Sequence, residues 1–66
     1  MTFDQYRDAS GQAWHANRNW RQGQAYFNTL VRVRPDLSER VRATNFDPFY
    51  NNLRLPNFLA WLEEVW

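Results

Sequence analysis

Residues 22–41 read QGQAYFNTLVRVRPDLSERV, and the choice between helix and strand in their middle decides the fold class. Val31-Arg32-Val33-Arg34 alternates as a strand does, whereas Trp20, Gly23, Phe27, Leu30 and Val31 recur with the 3.6-residue period of a helix. A run of four alternating residues that ends at a proline is a poor strand, so the helical period prevails. Asn19, with Gln22 three residues on, is expected to cap this second helix. Pro35 stops it near Arg34, because a residue before proline avoids helical geometry. Beyond the proline, Asp36 and Glu39 repeat the capping spacing, and a short third helix is expected from Leu37 to about Ala43 with Leu37 and Val41 buried.

Upstream, Thr2 and Gln5 form a T-x-x-Q capping box, which starts a helix at Phe3. It runs to about Asn17 with Phe3, Tyr6, Ala9, Ser10, Ala13 and Trp14 on one side and Asp4, Asp8 and His15 on the other. Downstream, Asp47-Pro48 predicts a helical turn or a structured loop near 47–52, with a break at Asn51 and Asn52. Pro56 opens the last helix, NFLAWLEEVW, whose apolar arc of about 160° exceeds the stripe that one core contact needs. There is no linker, repeat or low-complexity stretch, so residues 1–66 read as a single all-α domain, a small bundle of three main helices plus a short helical turn.

Twelve of the 66 residues are aromatic, four of them Trp, and there is no Cys. A domain of about 60 residues buries only about 60% of the surface of its unfolded chain, so these rings must form an economical core or stay outside for a partner. Helical phasing assigns Phe3, Trp14, Trp20, Phe27, Phe58 and Leu62 to the core. Tyr26, Trp61 and Trp66 fall on its shoulders, and Val33 aligns with Tyr26. The lack of Cys fits a reducing compartment, and no apolar run reaches the length of a signal peptide or a membrane span. A cytoplasmic protein with no membrane partner is expected.

Catalytic chemistry has little to work with. The only His, His15, lies opposite Ser10 on the first helix, and Ser38 is the one other serine. Asp8 and His15 stand about two turns, or roughly 10 Å, apart, too far to share one metal ion without further ligands. Glu63 and Glu64 are adjacent and diverge by about 100° on a helix. No phosphate-binding, dinucleotide or zinc-protease motif occurs. No catalytic residue, metal or cofactor is expected.

Binding chemistry is richer. All eight basic residues are Arg, six of them between positions 18 and 42, in a chain of net charge +1. Arg21 and Arg32 on the outer face of the second helix, with Arg40 and Arg42 near the end of the third, are candidates for contact with nucleic acid or an acidic partner. The short third helix and the near-neutral charge weaken a nucleic-acid reading. Protein binding accounts better for the composition, since Trp, Tyr and Arg dominate interface hot spots. Tyr26, Val33, Trp61 and Trp66 are the candidates for that contact, and a symmetric homodimer through exposed Trp edges is the third possibility.

Residues 23–66 carry Gly23-Gln24, Phe27-Asn28, Arg34-Pro35-Asp36-Leu37, Asp47-Pro48-Phe49-Tyr50 and the Phe58–Trp61 region. In these features the chain resembles short bacteriophage- and prophage-encoded proteins of unassigned function. The resemblance implies a phage or mobile-element origin and nothing about mechanism; taken with the aromatic and Arg composition, the expectation is a non-enzymatic phage-type accessory protein that binds and modulates a host or phage protein in the host cytoplasm.

Overall fold

In the computed structural model, which describes residues 1–66, the capping box forms as its spacing requires. The Gln5 amide donates to the Thr2 hydroxyl at 3.1 Å, and the Thr2 amide donates to Gln5 Oε1 at 2.8 Å. These bonds start α1, Phe3–Ala16, which Asn17 closes by donating Nδ2 to the Ala13 carbonyl at 2.8 Å. Then come α2, Gln22–Val33; α3, Pro35–Val41; a single 3-10 turn, Asn52–Arg54; and α4, Leu55–Val65. The chain is all-α, as expected, with three long helices and one of seven residues.

Three boundaries differ from expectation. Asn19 does not cap α2: the residue at the cap position is Arg21, and its side chain makes no capping bond. The free amide of Gly23 is instead satisfied by Asn52 Oδ1 at 2.8 Å, from 29 residues away. Pro35 does more than end α2, because it occupies the first turn of α3, where its missing N–H costs nothing. Asp36 therefore lies inside the helix and not at its cap, with its carboxylate turned to Arg34. The short helical turn falls at Asn52–Arg54, not at 47–52, and leads directly into α4; Asn51 Oδ1 accepts from the Leu53 amide at 3.0 Å and opens it.

One cluster holds the helices together: Tyr6 from α1, Phe27 and Leu30 from α2, Leu37 and Val41 from α3, and Leu55, Phe58 and Leu62 from α4. α2 is the central element, with α1 and α3 packed against it, and the 3-10 turn touches both α2 and α4. Phe27, Phe58 and Leu62 are buried as expected, whereas Phe3, Trp14 and Trp20 are only half-buried. Tyr6 takes the central place on α1. Its hydroxyl donates to the Tyr26 carbonyl oxygen at 2.7 Å, which lets a phenol be buried without an orphaned polar group. Trp14, in the last turn of α1, lies against the ring of His15 with centroids 5.4 Å apart.

Candidate functional site

Residues 42–54 connect α3 to α4 without an α-helix, yet their course is fixed at many points. Ala43 turns the chain with φ of 62°, a left-handed conformation that a residue with a Cβ adopts at a cost. The Asp47 carboxylate secures that turn, accepting from the Ala43 amide at 2.7 Å through Oδ2 and from the Phe49 amide at 2.9 Å through Oδ1. The Thr44 hydroxyl donates to the Val41 carbonyl at 2.7 Å and accepts from the Phe46 amide at 3.2 Å. Arg54 Nη1 reaches back to the carbonyl oxygens of Thr44 and Asp47 at 3.3 and 3.4 Å.

The segment is also docked on α2. Pro48 is buried, and its carbonyl group lies where a side chain at position 23 would have to stand, so only glycine admits this approach. Asn52 binds the Gly23 amide beside it. The Phe49 ring meets Phe27 edge-on at 5.8 Å, and Tyr50 meets Phe49 at 4.7 Å.

A segment held this firmly nevertheless leaves large apolar side chains in water: Tyr50 is 81% exposed, Leu53 86% and Phe46 40%. Two concavities flank it. A cleft of about 720 Å³ is lined by Phe27, Val31, Arg42, Phe49, Tyr50 and Arg54 among others. A smaller one of about 410 Å³ lies between Arg40, Val41, Thr44, Asn45, Phe46 and Trp61.

Five of the eight residues singled out by sequence gather in two places. Trp61 is half-buried at the smaller concavity with the Arg40 guanidinium over its ring at 5.5 Å. Arg42 lies over the Phe27 ring at 5.2 Å and pairs with Glu39 at 3.3 Å. Trp61 and Arg40 therefore border residues 42–54, and Arg42 begins them. Tyr26 and Trp66 gather instead around Tyr6, with centroids 6.3 and 5.2 Å from its ring. Trp66 is also covered by the Arg34 guanidinium at 5.1 Å, and its indole Nε1 donates to the Met1 carbonyl at 3.0 Å. Val33 is half-buried against the core, Arg32 is exposed on α2, and Arg21 is exposed at its N-terminal cap position.

Phe46, Tyr50 and Leu53 were not among the expected contact residues. Helical phasing has nothing to say about residues outside helices, but one signal was present: aromatic residues set among the turn formers Asn45, Asp47, Pro48, Asn51 and Asn52 have no helix of their own to pack under.

The ionisable groups add little that is reactive. Burial pushes the Tyr6 phenol far above its ordinary value of 10.0; the adjacent Ser10 hydroxyl pulls it back somewhat, and Tyr26 adds slightly to the rise. Arg34, bonded to Asp36 in a fork at 3.1 and 3.0 Å, holds that carboxyl below the usual carboxylate range. No three His, Asp or Glu side chains stand together as metal ligands would, and no helix is long and apolar enough to cross a membrane. The chain matches no protein-family model, no curated protein and no solved structure.

Proposed function

We propose that this chain is a noncovalent protein-binding module, a phage-type accessory protein that works in the host cytoplasm by occluding or bridging a host or phage protein. The observation that carries this reading is the rigid presentation of Tyr50, Leu53 and Phe46 by residues 42–54. Leaving a leucine or an aromatic ring in water forgoes about 1.5–3 kcal/mol of burial, a large loss for so small a fold. Fixing the backbone that carries those side chains removes much of the ordering cost of association, which is the main offset to affinity. Trp61 and Arg40 at the edge of the same surface belong to the residue types that anchor interfaces.

Arg-dependent nucleic-acid binding through Arg21, Arg32, Arg40 and Arg42 has weaker support. Two of the four guanidiniums already lie over aromatic rings, and one of those is paired with Glu39. Affinity capture from a bacterial lysate tests the leading reading with three baits: the natural chain, Tyr50→Ser with Leu53→Ser, and Trp61→Ala. The expected result is a specific partner held by the natural chain, lost by the double variant and weakened by Trp61→Ala. Identical captures with all three baits would refute it. A dimer in light scattering that the double variant disperses would favour the self-associating homodimer instead.

A further inference from the structure

The larger cleft has a chemistry that narrows the kind of partner. Its floor is aromatic, with Phe27 and Phe49 packed edge to face and Tyr50 extending the wall outward. Its charged groups are Arg42, Arg54 and Asp47. The Asp47 carboxylate is not free to receive a ligand cation, because both oxygens accept backbone amides of its own loop. Arg54 uses only Nη1, for two long bonds to carbonyl oxygens, and has no carboxylate partner. Arg42 lies over the Phe27 ring, which leaves its guanidinium edge free, and its one pairing, with Glu39, is exposed, of the kind worth little in water and readily exchanged. The cleft thus offers donors to an anion and an apolar floor beneath them.

Shape points to a chain and not to an enclosed small molecule. Two of the apolar lining residues, Val31 and Tyr50, are 39% and 81% exposed, so the cleft opens broadly to solvent and an occupant can run through it. We propose that this cleft receives an acidic, apolar segment of the partner protein, with an aromatic or leucine side chain against Phe49 and Tyr50 and flanking carboxylates on Arg42 and Arg54. The proposal rests on the protein-binding reading above and names the chemistry of its partner.

The test is titration of the isotope-labelled full chain, followed by amide chemical shifts, with four probes. These are a capped peptide of glutamates around a phenylalanine-leucine pair, the same peptide with lysines for glutamates, an all-glutamate peptide, and a single-stranded oligothymidine. The first probe is expected to move the amides of Asn28, Ala43, Phe49 and Asn51, at least about tenfold more tightly than the second or third. Binding should weaken as ionic strength rises from about 0.05 M to about 0.5 M. Arg42→Gln should weaken it several-fold, and Tyr50→Ala, at a side chain that is mostly in water, should do so without disturbing the fold. Equal binding of the lysine peptide, preference for the oligonucleotide, or no shift of those amides with any peptide would each overturn the assignment. If the last result came with partner capture that still depended on Tyr50 and Leu53, the cleft assignment alone would fall. If capture showed no such dependence, the wider reading would fall with it.

Discussion

Gly23 lies against Pro48 so closely that a Cβ at position 23 would overlap the Pro48 carbonyl oxygen and approach its carbonyl carbon to 2.9 Å. This contact joins the first turn of α2 to the middle of residues 42–54, and the Asn52 side chain bonds the Gly23 amide next to it. Two requirements, close backbone approach and a free helix amide, thus converge on one residue.

Gly23→Ala follows from that contact. In an open helix the change would gain about 1 kcal/mol from helix propensity. Here the obstacle is backbone, which cannot swing aside as a side chain would, and overpacking typically costs about 1–3 kcal/mol. The expected net effect is destabilisation, with residues 47–52 loosened first. Urea denaturation gives the size, and hydrogen exchange should show lost protection at Gly23 and Asn51 before the core amides. A variant as stable as the natural chain would mean that Pro48 is not held there.

Tyr6 and Ser10 make a contrasting pair on the buried face of α1. Tyr6→Phe removes the bond to the Tyr26 carbonyl and should cost about 0.5–1.5 kcal/mol. The Ser10 hydroxyl is buried without a well-aligned partner, so Ser10→Ala should be neutral or slightly stabilising. The phenol also sets an alkaline limit. Its folded pKa is raised above the ordinary 10.0, so its contribution is complete below that pH and is lost as pH rises through the raised folded value. Thermal melts across alkaline pH should show this decline in the natural chain and a shallower one in Tyr6→Phe.

The reach of sequence reasoning here follows the range of the interactions. The Thr2–Gln5 capping box spans three residues and forms as expected, and the apolar period of 22–33 gives α2 against the competing strand. The start of α2 was misplaced because its cap comes from Asn52, which no local pattern announces. Tyr6 and Trp14 share the apolar side of α1, yet only Tyr6 is buried, with its hydroxyl on a carbonyl of another helix, and Trp14 is half-buried in the last turn. Trp66 lay on a shoulder by helical phase, yet Phe3, Tyr6 and Arg34 close around it from elements distant in the chain. The exposed aromatics of 42–54 escaped for a related reason, since their placement depends on what Pro48 and Asp47 hold.

Ala43 is the only residue other than glycine with positive φ, and its backbone can be relieved. A left-handed residue bearing a Cβ costs roughly 1–2 kcal/mol. Glycine removes that strain but adds about 0.4–1 kcal/mol of unfolded-state entropy to be lost on folding. Ala43→Gly should therefore be neutral or stabilising by up to about 1.5 kcal/mol, while Ala43→Val should be clearly destabilising, because β-branched residues are outliers there. Chemical denaturation of the two variants side by side checks the order, and a destabilised glycine variant would contradict the strain argument.

Asp36, Arg34 and Trp66 form a chain of contacts at the junction of α2 and α3. Arg34 grips Asp36 through Nε and Nη2, donates Nη1 to the Trp66 carbonyl at 3.3 Å, and lies over the indole. Its bond to the carboxylate is the main cause of the lowered Asp36 pKa. A depressed acid contributes stability above its unfolded value, here 3.8, and that contribution is lost as pH falls through the lower folded value. Asp36→Asn should therefore flatten part of the acid limb of a melting-temperature profile, and the effect should be small because the pair stands in water, where salt screens it. Trp66→Ala acts differently. It removes an indole from Phe3, Tyr6 and Arg34 and should cost about 1–3 kcal/mol at every pH while leaving the acid limb in place. Profiles of the two variants that changed in the same way would show that Arg34 does not link two separable contacts.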